Sequence, residues 1–580
     1  MATIQSKISH GCKYWYIVES RRVNGKPRPI VLAYLGKVET LLKRLQATLN
    51  GQLKLKSYSH GALCALLHIA HNLDIVNEIN KHIHSQRTWM AEKPIRNNLT
   101  AGITLLLGSI GRVCMPTSKL GWWNWARTTS CEYLLQCNLS KIDSQHFWDL
   151  MDALPVTAIP LIEEAILHRV FQQHQLTTDS LFFDTTNFFT FIATTNTRCT
   201  IAQRGKNKQK RDDLRQIGLA LVVSREDFIP LFHQTYQGNI NDSKVFAQVI
   251  GNIKARMETL HFDIEKHTVI FDRGNNSKKN LAAVSKLNLH YIGALTPYHQ
   301  KQLIADAAGH YSDVIIDEDR TLQVFRDKRS IWGEERTVLV FVSDALKEGQ
   351  MRGIVQWIEK RKKKIEKVNI ALAKPNSKKR SRKLLCTLIQ KFVKGPYGND
   401  LLLWSLERNA ESRFHIKYWV NDEKLATIED SLGFRIIMTD RHAWSSEAII
   451  HAYYGQAFVE YAFKNLKNLY HLAIRPSFHW TDQKLIVHYF MCVLGYLLAT
   501  LVYRMARLHC NYKKSIGSLF NTLNNIRLAT ILEPQKKGKI KTLYKLEEMD
   551  DEEKQLLNGL GLENYHIEKP LFNGFSVYNP

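Results

Sequence analysis

The stretch Leu181–Phe189, LFFDTTNFF, places one carboxylate, Asp184, in the middle of a run of strand-forming residues. Aromatic and branched side chains favour strands because they suit a pleated, half-buried surface. An ionised Asp inside such a strand is costly unless a cation or a hydrogen-bond donor compensates its charge. The stretch therefore predicts a buried strand whose Asp184 faces a cation or a donor.

Two further acidic positions occur in similarly ordered surroundings. The segment His267–Asn280, HTVIFDRGNNSKKN, runs a short strand pattern into Asp272 and then turns. Glu460 lies in SSEAIIHAYYGQAFVEYAFKNLKNLY, a predicted helix with Ser445 as its N-cap. Two Asp residues on strands and one Glu on a helix suit a site that holds two divalent metal ions.

Composition narrows the class of partner. The chain has 580 residues, enough for roughly three or four domains. Hydrophobic residues make up 44% and charged residues 23%, as in an ordinary soluble globular protein. The formal net charge of +26 favours a polyanionic partner, because basic side chains that neutralise phosphates release counterions. Nucleic acid is the favoured partner, and an anionic membrane surface is the alternative.

Cysteine usage and hydropathy predict a cytoplasmic protein. The nine cysteines include no CxxC pair, which argues against a disulfide framework and against a zinc knuckle. The first twenty residues contain no apolar segment typical of a secretory signal. The run Leu485–Tyr503 is long enough to cross a membrane, but it carries His488 and is predicted to be a buried core helix.

The pattern along the chain predicts six regions. Residues 1–40 form a β-hairpin that turns at Asn24–Gly25, with basic residues at its tip. The others are a helical domain that is a candidate for DNA binding (41–176), strands followed by alternating helices and strands (177–295), a β-rich and basic segment (296–440), a region with the glutamate helix (441–510) and a C-terminal region (511–580). The predicted fold class is α/β with a mixed sheet.

The predicted glutamate helix has one polar stripe. At about 100° per residue, one side carries Tyr453, Gln456, Glu460, Lys464 and Lys467. The simpler interpretation is a solvent-exposed face on which Glu460 and Lys464 pair at i,i+4 spacing. The two strand-borne aspartates and the basic charge of the chain favour a catalytic interpretation.

The same residues carry a family resemblance. The sequence resembles transposases of bacterial insertion sequences, in the DDE group whose catalytic domain is RNase H-like, and within it the branch with a β-rich insertion between the second Asp and the Glu. The matching text is LFFDTTNFF, RGKNKQKRDDLRQIGLALVVSREDFIPLFHQTYQGNINDS, VIFDRGNNSKKN, YYGQAFVEYAFKNLKN and LAIRPSFHWTDQKLIVHYF. Asp272 lies 88 positions after Asp184, and Glu460 lies 188 positions after Asp272, which leaves room for the insertion.

The resemblance implies the chemistry and the site. Asp184, Asp272 and Glu460 are expected to bind two Mg²⁺ ions, which Mn²⁺ can replace, for cleavage at the element ends and strand transfer into target DNA. The branch has a Tyr-Arg-Glu-Lys helix, and here Gln456 replaces the Arg, which removes a bidentate phosphate contact and puts a DNA hairpin step in doubt. The expected phosphate contacts are Tyr453, Gln456 as a single rather than a bidentate contact, Lys464, Lys467 and, in a basic loop, Arg204, Lys206, Lys208, Lys210 and Arg211.

Further expectations follow from the same resemblance. Trp332, Trp419 and Trp444 are candidates for stacking on an extruded base, with a core role as the alternative, and His479 and Asp482 receive no role. The expected partners are double-stranded DNA, as terminal inverted repeats and target, and a second copy of the chain, with no membrane, in a bacterial cytoplasm beside the nucleoid. The alternatives are an RNase H-like DNA nuclease without strand transfer and a catalytically silent DNA-binding protein derived from a transposase.

Overall fold

The structure is a computed structural model of the whole chain. It describes residues 2–9, 12–23, 26–40, 42–43, 54–83, 99–176, 179–207, 209–263, 265–317, 320–374, 380–397, 399–408, 413–534 and 540–566. The chain divides into two compact units, of which unit 1 comprises residues 1–166 and 466–580 and unit 2 comprises residues 167–465. All three predicted acidic residues belong to unit 2.

The described residues contain both strands and helices. The strands are β1 (Ala2–Ser9), β2 (Cys12–Val23), β3 (Lys26–Gly36), β4 (Lys54–Ser59), β5 (Ser180–Thr190), β6 (Gln203–Arg204), β7 (Arg215–Ser224), β8 (Pro230–Gln237), β9 (Thr268–Phe271), β10 (His290–Leu295), β11 (Ser312–Asp317), β12 (Arg320–Ile331), β13 (Glu334–Val342), β14 (Leu402–Arg408), β15 (Phe414–Val420), β16 (Phe434–Thr439), β17 (Arg527–Pro534) and β18 (Ile540–Leu546).

The helices are α1 (Gly61–Asn72), α2 (Ile75–Ile83), α3 (Ala101–Cys114), α4 (Trp122–Ala126), α5 (Cys131–Leu135), α6 (Ser144–Asp152), α7 (Ile159–His174), α8 (Asp242–Thr259), α9 (Lys278–Lys286), α10 (Lys301–Ala307), α11 (Asp344–Ala373), α12 (Arg382–Val393), α13 (Asp422–Glu429), α14 (Ser446–Tyr454), α15 (Ala457–Lys467), α16 (Asp482–Cys510), α17 (Ile516–Asn525) and α18 (Asp551–Gly559).

Unit 2 is built on a ten-stranded mixed sheet. Its order is β11-β12-β13-β16-β10-β9-β5-β7-β6, and β8 pairs with β7. The contacts of β9 with β5 and with β10 are parallel, and the other strand contacts are antiparallel. The fully buried run Thr268–Phe271 suits a central parallel strand, which is covered on both faces. This arrangement confirms the predicted mixed α/β class.

The segment 296–440 is divided between this sheet and a smaller subdomain. Strands β11, β12, β13 and β16 extend the sheet beyond β10. Helices α11 and α12 and the hairpin β14-β15 instead enclose a separate core that includes Ile365, Leu385 and Ile416. The sequence pattern identified strands in this segment, but periodicity carries no information about which strands pair. The extension of the main sheet was therefore outside what the pattern predicts.

The N-terminal and C-terminal segments together form unit 1. Strands β2 and β3 form the predicted hairpin, to which β1 adds a third strand, and the Asn24–Gly25 turn lies outside the described residues. Within the predicted helical region, β4 is a strand that pairs with β17, which in turn pairs with β18. Because its partner follows more than 460 positions later, nothing in the local pattern of β4 indicates this sheet.

Helix α16 contains the apolar run that the sequence predicts as a core helix. In the described part of the chain it is the one helix long and apolar enough to cross a membrane, and 94% of its most apolar window is buried inside the protein. Its packing against α3 is close, since a Cβ at Gly108 would lie 2.0 Å from the Met491 side chain. The core-helix prediction is confirmed. Each of the nine cysteines is a free thiol, as predicted.

Candidate active site

The register of two parallel strands brings Asp184 and Asp272 together. Strand β5 pairs with β9 from Ser180↔Thr268 to Phe183↔Phe271. The next residue after each of these two paired segments is one of the two aspartates. Neighbouring strands lie about 4.8 Å apart, and register partners project from the same face of the sheet. Asp184 is partly buried, and Asp272 is exposed just beyond its strand. The two carboxylates, which were predicted from separate segments, therefore lie side by side where two neighbouring strands of the sheet end.

Aromatic packing identifies the face on which they lie. Phe183 and Phe271 both contact Phe246 of α8, with ring centroids at 5.2 and 4.6 Å. Phe182 projects to the opposite face, where its ring meets Phe458 of α15 edge to face at 5.2 Å. Since side chains alternate along a strand, Asp184 shares the face of Phe182. The two aspartates thus lie on the face that α15 covers.

The glutamate lies on α15, after a break that the sequence pattern does not predict. One continuous helix was expected, but α14 ends at Tyr454 and α15 begins at Ala457. Ser445 caps α14 as predicted, because its side chain accepts a hydrogen bond from the Ala448 N–H. At the break, a Cβ on Gly455 would lie 2.3 Å from the Phe182 ring, so glycine allows the chain to approach β5 closely.

The break changes the predicted polar stripe. Glu460, Lys464 and Lys467 are exposed on α15, but Gln456 is 9% exposed and its buried Nε2 has no hydrogen-bond partner among the described residues. The described residues contain no Glu460–Lys464 salt bridge. They also contain no group of three or more His, Cys, Asp or Glu side chains placed to hold a metal ion. Convergence of Asp184, Asp272 and Glu460 on metal ions stays a prediction.

Tyr453 lies beside the second aspartate. It is 8% exposed, and burial raises the pKa of its hydroxyl, to which the charge of Asp272 adds, while Arg435 and Arg273 act in the opposite direction. All four residues line a cavity of about 940 Å³ that also contains Lys301. A phenol and two guanidinium groups near one carboxylate form a surface suited to phosphate oxygens.

Sequence reasoning missed part of this cavity. Arg273 could have been found, since it directly follows Asp272 at the end of a strand. Arg435 and Lys301 have no comparable signal in the sequence. Arg435 reaches the cavity because β16 pairs with β10, and Lys301 reaches it as part of α10. Their positions depend on tertiary structure alone.

The residues of the basic loop differ in their exposure and in their contacts. Arg204, Lys206 and Lys210 are exposed, and Lys208 lies outside the described residues. Arg211 is also exposed, but its guanidinium holds both oxygens of Asp213, with nitrogen–oxygen distances of 2.8 and 2.7 Å.

Among the tryptophans, Trp332 and Trp419 are 40% and 49% exposed, so their aromatic surfaces are accessible. Trp444 is partly buried, and the Arg441 guanidinium lies 5.4 Å from its ring centroid.

Comparisons with known proteins agree with this architecture. Residues 189–494 match the family described as Transposase DDE domain, a range that includes Asp272 and Glu460 and begins after Asp184. Residues 2–58 match the family described as IS1634 family transposase, N-terminal domain. No curated protein matches the chain. A cryo-EM structure of a piggyBac transposase synaptic complex with hairpin DNA aligns over 79% of each chain at 10% identity, with a TM-score of 0.38, which is too low to support an argument.

The DDE match alone spans more than half of the 580 residues. It covers β6 to β16, α8 to α15 and the first part of α16. The second match covers the N-terminal three-stranded sheet and most of β4. The chain therefore belongs to the DDE transposases and is a DNA-cleaving and strand-transferring enzyme of the insertion-sequence type.

Proposed function

We propose that the chain cuts DNA at the ends of its element and joins the freed 3′ ends to target DNA, with Asp184, Asp272 and Glu460 as the catalytic acids. The observation that carries this assignment is the register of β5 and β9, which makes the two aspartates neighbours on the face covered by the glutamate helix. The strands β8-β7-β5-β9-β10 would form the RNase H-like part of the sheet, and α11, α12 and β14-β15 the inserted subdomain.

The donor set fits a hard divalent cation. Two carboxylates at adjacent strand ends repel each other, and a partly buried one such as Asp184 costs further free energy without a cation. Carboxylate oxygens are the ligands that Mg²⁺ and Mn²⁺ prefer. Asp184 and Asp272 would hold the ions with Glu460 completing the set, and the bound pair would activate the attacking oxygen and stabilise the leaving one.

The side chains around Asp272 would position the DNA strand. Arg273 and Arg435 would bind the phosphates beside the cut, and Tyr453 would donate its hydroxyl proton to a phosphate oxygen, because burial keeps that hydroxyl protonated. On α15, Lys464 and Lys467 would bind the flanking backbone. Gln456 was predicted among these contacts, but its buried amide must first become exposed to reach a phosphate.

The other proposals concern partners and location. Arg204, Lys206, Lys208, Lys210 and Arg211 would contact the DNA beyond the cleavage site, with Arg211 exchanging Asp213 for a phosphate. The active complex would be a homodimer on paired inverted repeats, in a bacterial cytoplasm. The six predicted regions of the chain stay proposals as well.

The test is a strand-transfer reaction with supplied ends. Purified protein, Mg²⁺, pre-cleaved element ends and a supercoiled target plasmid are expected to give joined products, which gel electrophoresis resolves. Cleavage of intact ends without joining would instead identify a nuclease. Binding without either reaction would identify a silent DNA-binding protein.

Removal of divalent metal is expected to stop both reactions. EDTA should abolish cleavage and joining, because three carboxylates without cations repel the phosphodiester. Restoration by Mg²⁺ or Mn²⁺ is the expected result, and Ca²⁺, which is larger and takes looser geometries, should permit binding but not cleavage. Cleavage that persists in EDTA would contradict the metal assignment.

Tyr453→Phe tests the proposed role of the hydroxyl. The ring remains in its buried position, so the fold should not change, and cleavage should fall about tenfold through loss of one hydrogen bond to a charged group. Tyr454→Phe is the matched control, because the Tyr454 hydroxyl bonds to Arg320 at 3.0 Å instead. Equal cleavage rates for the two variants would remove Tyr453 from the site.

A further inference from the structure

Unit 1 contains a second basic cavity, in which no acidic residue takes part. Its volume is about 350 Å³, within the range of small-molecule sites. It lies between the end of α3, the residues before α4, the first turns of α6 and the segment that leads into α16. None of its lining residues is Asp or Glu, although Arg112 and Lys119 both contribute to its wall. The positive charge inside it therefore lacks a local carboxylate.

The two cations differ in how they are held. Arg112 is 2% exposed, and its guanidinium donates to the backbone carbonyls of Ala473 at 2.8 Å, Thr117 at 2.6 Å and Arg475 at 2.5 Å. These bonds fix the group without neutralising it. The Lys119 ammonium lies 5.4 Å from the Phe147 ring centroid and has no carboxylate partner among the described residues. Lys119 is thus the cation available to a ligand.

A neighbouring lysine shows the contrast. Lys484 is 5% exposed, and its ammonium lies 2.5 Å from a carboxylate oxygen of Asp152 and 4.4 Å from the Trp148 ring centroid. The Lys484 ammonium is thus paired with an acid of the chain. Lys119, which is partly exposed, has no such acid among the described residues, so a ligand has access to its charge.

Two buried histidines complete the floor of the cavity. His479 and His488 are 3% and 1% exposed, with ring centroids 5.0 Å apart. The Nε2 of His488 lies 2.8 Å from the Ile474 carbonyl oxygen and therefore carries the hydrogen. The Nδ1 atoms of both rings are buried without a hydrogen-bond partner in the described part of the chain. Unsatisfied buried polar atoms of this kind are rare and indicate a missing partner.

The pKa shifts of two residues in this cavity agree with the binding of an anion. Burial lowers the pKa of Lys119 to about 7, with Arg112 adding to the effect. Burial also lowers the pKa of His479 to about 3, with Lys119 as the next cause. An anion close to Lys119 would favour its charged form and relieve the repulsion from Arg112.

The mouth of the cavity is aromatic. Phe478 is 66% exposed, and Trp148 meets Trp480 edge to face at 5.1 Å. The hydroxyl residues Ser118 and Ser144 are also part of the lining. Aromatic surfaces stack on nucleobases, and hydroxyls together with an ammonium bind phosphate oxygens.

We propose that this cavity binds a phosphorylated nucleotide, with its phosphate on Lys119 and its base against Phe478 and Trp148. Two sources share this chemistry, the 5′-phosphate end of a DNA strand and a free mononucleotide. The proposal is independent of the catalytic assignment, because it can be tested without divalent metal.

The experiment uses the full chain in EDTA. Affinities are measured for inorganic phosphate, for dAMP, and for one short single strand with either a 5′-phosphate or a 5′-hydroxyl. The ratio of the two strand affinities cancels the nonspecific attraction of a basic protein for DNA. If the strand end is the ligand, the phosphorylated strand should bind about tenfold more tightly, as expected for one charge-assisted contact.

Lys119→Gln should bring this ratio close to one and abolish dAMP binding. Lys513→Gln is the matched control, since Lys513 is an exposed lysine of the same unit outside the cavity, and it should leave both unchanged. Phe478→Ala alters an exposed side chain, so the variant protein should fold normally. The substitution should weaken dAMP binding while inorganic phosphate still binds. Thermal unfolding of each variant verifies the fold.

Each outcome either tests the proposal or identifies the source of the ligand. Binding of dAMP with a strand ratio of one identifies a free nucleotide, and a raised ratio identifies a strand end. The proposal is overturned if neither dAMP nor the phosphorylated end binds preferentially, or if inorganic phosphate alone binds. It is also overturned if a folded Lys119→Gln protein binds as the wild type does, or if Phe478→Ala leaves dAMP affinity unchanged.

Discussion

Asp184→Ala is expected to lower metal-dependent cleavage of element ends by about a thousandfold, a loss of ~4 kcal/mol of transition-state stabilisation. The physical reason is its place beside Asp272, because one carboxylate alone holds a divalent ion weakly and cannot position it against the scissile phosphate. Binding of the ends should persist, since the basic residues that contact DNA are unchanged. Single-turnover cleavage of a labelled end, with affinity measured in parallel, gives both quantities.

The matched control is Asp179→Asn. Asp179 lies just before β5, and its exposed carboxylate contacts Arg225 at 3.3 Å, so the substitution removes the same charge from the same segment. A surface pair of this kind contributes little to stability, and cleavage should stay near the wild-type rate. If Asp184→Ala retained metal-dependent cleavage, the assignment of the first catalytic acid would be wrong.

Phe182→Ala is expected to have the largest effect on stability. Phe182 is fully buried, and its ring meets Phe458 and fills the space left by Gly455. Truncating a buried phenylalanine typically costs about 3–5 kcal/mol, because transfer free energy is lost and a cavity remains. For a unit of this size the loss corresponds to a decrease in Tm of roughly 10 °C. Differential scanning calorimetry of the full chain measures it.

The same substitution also loosens the contact between β5 and α15. We therefore expect cleavage by the folded fraction to decrease at a temperature well below its Tm, since Glu460 loses support on the face that bears Asp184. Phe191→Ala is the control, because Phe191 is 73% exposed and its loss should change stability by no more than ~0.5 kcal/mol. Equal Tm values for the two variants would contradict the described packing.

The local patterns predicted the elements of unit 2 well but carried no prediction of their pairing. Apolar runs identified β5, β7, β8 and β9, because residue type and alternation determine strand formation within a few positions. The distribution of segment 296–440 between the main sheet and a subdomain depends on contacts over long sequence distances. Periodicity carries no such information, and for the same reason β4 was included in a helical region.

The site was predicted in part. Asp184 and Asp272 were identified because an acidic residue in or after a buried strand is unusual, and the register confirms that they are neighbours. The break at Gly455 was missed, because the Phe182 ring against which Gly455 packs lies on a strand more than 270 positions earlier. A helical wheel drawn across that break therefore placed Gln456 on the polar stripe, whereas the fold buries it.

The pairing of β4 with β17 has a consequence for biosynthesis. Unit 2 is one continuous segment, so it can fold as soon as residues 167–465 have left the ribosome. The sheet of β4, β17 and β18 lacks its central strand until synthesis passes Pro534. Translation thus delivers the segment with the acidic residues first and closes unit 1 only after β17 is made. A chain that terminates before β17 therefore retains the carboxylates without a complete unit 1.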